Sequence, residues 1–219
     1  MRAFVTLALL ALAAAPLAAQ TEPTVFICGI WPDRILFFDQ TTDTFTEGLH
    51  LRHGAVTRSS HTPDKRKFFA VTGRMETVEV IDPVRREVVD EFTLSTGAER
   101  IRIFGVFPNH DGTKAYLTVT AVKLEIDRFV RSEDVDIIAY DLEKREVTER
   151  FTLPEEVTGG NRPAIHFAPD GKSFYIIAKD VHRLDAETHE VLETLPLSRP
   201  LLAGYGPFRG VNLTETEPG

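Results

Sequence analysis

From Thr77 to Leu94 the chain reads TVEVIDPVRREVVDEFTL, two runs of alternating apolar and polar residues joined at Asp82-Pro83. Alternation with a period of two marks a strand with one buried face, and an Asp-Pro turn between two such runs predicts a hairpin. The pattern recurs. Aligned on the aspartate, the copies are LFFDQTTDTFTEGLHL at Asp39, the stretch at Asp82, IAYDLEKREVTERFTL at Asp141 and HRLDAETHEVLETLPL at Asp185. Ten positions on stands Leu49, Phe92, Phe151 or Leu195, and two beyond that Leu51, Leu94, Leu153 or Leu197. The aspartates are 43, 59 and 44 residues apart, so the unit is about 44 long and the third copy carries about 15 extra residues.

Three of the units also hold a polar turn ahead of a short aromatic-rich run: TPDKRKFFAVTG, PNHDGTKAYLTVT and APDGKSFYIIAK. Turn residues between alternating runs give antiparallel hairpins, and a unit of four short strands recurring every 40 to 45 residues is the size of a β-propeller blade. The fold expected is therefore all-β, with about four blades of four antiparallel strands over 24–51, 55–94, 100–153 and 162–197, and a terminal strand at 207–214. The first blade lacks its innermost strand.

These repeats resemble the YVTN-type β-propeller repeat, best in KFFAVTGRMETVEVIDPVRREVVDEFTL, where Val71-Thr72-Gly73 stands near the name-giving tetrapeptide, and in PDGKSFYIIA. The tetrapeptide itself is never complete. The resemblance covers nearly the whole chain after its first residues. It implies a propeller like the large non-catalytic subunits of quinoprotein amine dehydrogenases, or like exported binding proteins. Two arrangements fit: the terminal strand completes the first blade and closes a four-bladed ring, or the four blades are part of a propeller of about seven.

The N-terminus changes the setting. Arg2 is followed by an Ala/Leu/Val run to Leu17 and small residues Ala18 and Ala19, the pattern of a secretory signal peptide over 1–19. That run is short for a membrane span, so a secreted or periplasmic location without a membrane span is expected. Removal of Arg2 takes the formal charge from −8 to −9. An acidic surface argues against nucleic acid as a partner. The one cysteine, Cys28, excludes an internal disulfide, and its setting in TVFICGI predicts a buried small hydrophobe.

Within this acidic chain, the segments linking one blade to the next, 52–62, 95–107, 154–168 and 198–214, carry seven arginines, no lysine and three glutamates. Arginine suits bidentate recognition of carboxylate or phosphate. These links share one end of the blades with the most variable loops, including Trp31. The candidate site is an anion-binding funnel at the axis with Arg58, Arg102, Arg162 and Arg209, flanked by His61, His166 and Trp31. The competing reading has the arginines bracing blade against blade, and packed core histidines at His61 and His166. The third-blade insertion, Thr120 to Asp136, alternates well enough for an extra hairpin. His50 and His53 have a helical chelate spacing, but on a strand they point to opposite faces, so no metal site is expected. No GxSxG, P-loop or HExxH motif occurs. The function expected is an exported, non-catalytic binding or scaffold protein without a cofactor, taking a small anionic ligand or a protein partner. The alternatives are a propeller subunit of an amine dehydrogenase-like quinoprotein, or a lactonase-like hydrolase.

Overall fold

The computed structural model describes residues 25–39, 41–45, 48–131, 136–158, 163–178 and 180–197. Residues 1–19, the terminal strand at 207–214, Arg162 and Arg209 lie outside the described residues.

Four antiparallel sheets follow one another along the chain in a propeller-like, all-β arrangement. The first comprises β1 (Val25–Ile30), β2 (Arg34–Asp39), β3 (Thr44–Phe45) and β4 (Leu49–His50), with β3 and β4 both pairing β2. The second is β5 (Arg58–His61), β6 (Phe68–Thr72), β7 (Thr77–Asp82) and β8 (Glu87–Thr93), in that order. The third runs β9 (Glu99–Pro108), β10 (Lys114–Leu124), β12 (Asp136–Asp141) and β13 (Glu146–Thr152), with β11 (Phe129–Arg131) paired to the far half of β10. The fourth is β14 (Ala164–Phe167), β15 (Ser173–Ile177), β16 (Val181–Asp185) and β17 (Val191–Leu195). A single helical turn, α1 (Glu155–Thr158), precedes β14. The insertion is thus the expected hairpin: Val122, Lys123 and Leu124 pair with Arg131, Val130 and Phe129.

Strand alternation determines which neighbour each side chain meets. In the second sheet Phe69, Val71, Val78 and Val80 join a core shared with the third sheet, whereas Ala70 and Ile81 join Ile35 and Phe37 of the first. In the third, Leu117 and Ile138 face back to the second sheet, and Tyr116 and Ile137 face forward to Phe174 and Leu184 of the fourth. Phe92 stacks on Tyr140 across the second interface, with centroids 4.1 Å apart and planes at 8°, which contributes about 1 kcal/mol beyond the area buried. The first strands of successive sheets pack together, β9 against both β5 and β14, and so form the inner edge.

The repeated aspartate closes each outer hairpin. Oδ1 of Asp82 accepts from the N–H groups of Val84 and Arg85, that of Asp141 from Glu143 and Lys144, and that of Asp185 from Glu187 and Thr188, all at 2.8–3.0 Å. The fourth residue after each aspartate, Arg86, Arg145 or His189, takes a left-handed φ of 59–60° and donates its N–H to the aspartate carbonyl at 2.8–3.1 Å.

One expectation fails at the first sheet. Cys28 is exposed. It pairs with Leu36 on the face of the first sheet opposite Ile35 and Phe37, and among the described residues no core cluster covers that face. At the other end, the leucine ten residues after the aspartate is 50% exposed at Leu195, whereas Phe92 is 7% exposed. Among the described residues no following sheet packs on the fourth.

Candidate functional site

The links and the loops between second and third strands meet at one end of the sheets. The N–H of Gly73, in the loop after β6, donates to the carbonyl of His53 in the link from the first sheet at 2.8 Å. That link is also tied to the second sheet through Glu79 of β7, whose side chain is fully buried. Its Oε2 accepts from the N–H of Arg52 at 3.0 Å, and its Oε1 from the N–H of His53 at 3.1 Å and the hydroxyl of Thr72 at 2.9 Å. Buried acceptors of this kind are costly unless satisfied, and here both oxygens are.

The arginines of this end divide into two groups. Arg52 pairs with Glu91 at 3.1 Å and Arg100 with Glu76 at 3.1 Å, so these two brace the second sheet and its adjoining links. Arg58 and Arg102 stand exposed on the neighbouring inner strands β5 and β9, and among the described residues neither has a carboxylate partner. Arg58 Nη1 donates to the carbonyl of Thr57 at 2.6 Å.

The other sequence candidates do not all join them. Trp31 is 82% exposed in the turn between β1 and β2. His61 is exposed and its Nδ1–H donates to the Thr62 carbonyl at 3.0 Å. The packed-core expectation for His61 therefore fails, because it points toward the first sheet, where the described residues supply no inner strand to cover it. His166 is half-buried opposite Tyr175, on the face turned away from the third sheet. His50 Nδ1 lies 3.5 Å from Asp33 and His53 Nε2 lies 3.5 Å from Glu91, so they serve separate carboxylates. Among the described residues no cluster of three or more His, Cys, Asp or Glu is placed to hold a metal ion, and no helix is long and apolar enough to cross a membrane.

The carboxyls whose pKa is lowered lie in the turns. Hydrogen bonds from Thr41 to Asp39, from Thr113 to Asp111, and from the backbone of Lys144 to Asp141 and of Thr188 to Asp185 hold these carboxyls below the usual aspartate value. Charge-assisted bonds to the ionised form are the physical cause. No protein-family model matches the chain, and none of the curated proteins compared with it is a match.

Sequence reasoning passed over Glu79, because the equivalent positions in the other copies are Leu36, Ile138 and His182 and no repeat signal marks it. It also passed over Tyr116, on the opposite end of the molecule, which alternation reads as an ordinary core position.

Proposed function

We propose that this chain is an exported binding protein of the YVTN-like propeller type, whose rigid sheets present a site for a small anionic ligand at the axial face. The observation that carries this reading is the pair Arg58 and Arg102: adjacent inner strands each offer an exposed guanidinium with no carboxylate partner among the described residues, while Arg52 and Arg100 are ion-paired. Guanidinium forks match carboxylate and phosphate oxygens in pairs, and one without a carboxylate partner breaks no ion pair when a ligand arrives. Export is supported by the N-terminal pattern over 1–19.

The test is calorimetric titration of the full chain with citrate and with inorganic phosphate at low ionic strength, because screening weakens exposed charge pairs. Replacement of Arg58 and Arg102 by Gln is expected to weaken binding by about tenfold for each lost charge-assisted contact, with the thermal midpoint unchanged. Unchanged affinity together with lowered stability would return both arginines to a bracing role.

A protein partner at the same end is a second reading, favoured by the exposed apolar side chains of Trp31, Ile126 and Phe129. Ile126→Ser with Phe129→Ser separates the two readings, since these changes leave anion affinity intact.

A further inference from the structure

At the end opposite the links, a groove of about 900 Å³ runs between the third and fourth sheets. Its walls are the turn before β10, the turn before β15 and the outer hairpin turn after Asp185, with Glu149 of β13 on the outer side. The aromatic rings of Tyr116 and Phe167 line it, with centroids 4.6 Å apart and planes at 46°.

Two independent observations define what this groove would accept. The first is charge. Five carboxyl side chains border it, those of Asp111, Glu149, Asp170, Asp185 and Glu187, against Lys114, Lys172 and His110. In Asp111, Asp170 and Asp185 the turn N–H groups engage only Oδ1, which leaves Oδ2 outside those turn bonds. The second is Tyr116. This residue is only 8% exposed, and its hydroxyl has no hydrogen-bond partner among the described residues. Burial, and then the charges of Glu149 and Asp111, push the phenol's pKa up, which sets its polar tip beside two of the carboxylates that border the groove. A phenol placed this way offers an oxygen lone pair, and its ring and that of Phe167 offer electron-rich faces.

We propose that this groove is a binding site for an organic cation, an ammonium or guanidinium group carried on an apolar stem. The stem lies against the Tyr116 and Phe167 rings, the cation donates to the tyrosine oxygen, and the surrounding carboxylates supply the field. The source of such a group is either a free amine or a lysine or arginine side chain of another polypeptide. This site is distinct from the arginine-bearing end and of opposite sign, so it stands or falls separately.

The experiment is titration of the full chain, at low ionic strength, with n-butylammonium, n-butylguanidinium and the capped peptide acetyl-Gly-Lys-Gly-amide. Saturable binding of at least one probe is expected, weakened about tenfold in Tyr116→Phe, which keeps the ring in the core. Asp170→Asn is expected to weaken it as well, and it changes an exposed turn residue with no packing role. Tighter binding of the peptide than of butylammonium assigns the site to polypeptide side chains, and the reverse order assigns it to free amines. No saturable binding by any probe overturns the proposal. So does equal affinity in wild type, Tyr116→Phe and Asp170→Asn, or complete displacement by potassium ion at the same concentration as the probe, which would reduce the effect to screening. Retained cation binding in the Arg58→Gln, Arg102→Gln protein shows that the two sites are independent, and its loss there overturns the assignment to the groove.

Discussion

Lys65 occupies a backbone conformation that the sequence assigns to glycine elsewhere. It has φ of 57°, where the equivalent turns place Gly112 and Gly171, each at 67°. All three close the same turn, with the N–H bonded to the carbonyl three residues back at 2.8, 3.1 and 2.9 Å. An L side chain in this region carries a steric cost, so Lys65→Gly is expected to stabilise the fold by about 0.5–1 kcal/mol, read from the urea midpoint. Glu79→Ala is expected to act in the other direction by about 2–4 kcal/mol, because it leaves the N–H groups of Arg52 and His53 and the Thr72 hydroxyl without their acceptor. The turn aspartates add a pH dependence. The carboxyls of Asp39, Asp111, Asp141 and Asp185 have folded pKa values below the unfolded value of 3.8. Their contribution is therefore fully present above that value and is lost as the pH falls through the lower folded values. Denaturant midpoints are expected to drop between about pH 5 and pH 2, and Asp141→Asn with Asp185→Asn should flatten that drop. At this scale the repeat aspartates were legible, because the same turn chemistry recurs. Glu79 was not, because a polar residue at one copy of an apolar position leaves no periodic trace.

The hairpin turns also reach across elements. The residue held at left-handed φ after each aspartate turns its side chain back to the preceding sheet. Arg86 lies over the Phe37 ring at 5.6 Å, Arg145 pairs with Asp90 at 2.9 Å, and His189 stacks on Phe151 at 3.8 Å with Nδ1 3.5 Å from Glu149. Asp90 and Glu149 both stand eight residues after their own aspartates, so the second and third sheets each offer an acid to the turn that follows. Arg145→Ala is expected to cost about 0.5–1 kcal/mol, since the pair is partly exposed, and the double variant with Asp90→Ala should cost little more than either single change. Sheet membership, strand order and the extra hairpin were all readable from alternation and turn residues. The back-reaching contacts were not, since Arg, Arg and His share no hydropathy signature and their common feature is a backbone angle.

At the scale of the whole molecule, four sheets are joined by three core clusters among the described residues. Equivalent positions therefore differ in worth according to place in the array. Phe92→Ala is expected to cost about 3–4 kcal/mol, while Leu195→Ala, at the matching position of the fourth sheet, should cost less than about 1 kcal/mol; thermal or urea unfolding of each variant measures this directly. The repeat pattern gave these residues equal rank, because periodicity reports the side chain but not the neighbour that covers it. The first sheet shows the same effect at Cys28. Its strands share only the smallest of the three clusters, five buried residues centred on Ile35 and Phe37. Seen over time rather than as a static packing, that asymmetry sets an order of opening. In deuterated solvent the amides of β1 and β2 should exchange first, those of β6, β7, β10 and β12 last, and the array should come apart one sheet at a time from its ends, as a stack of plates does, before its centre yields.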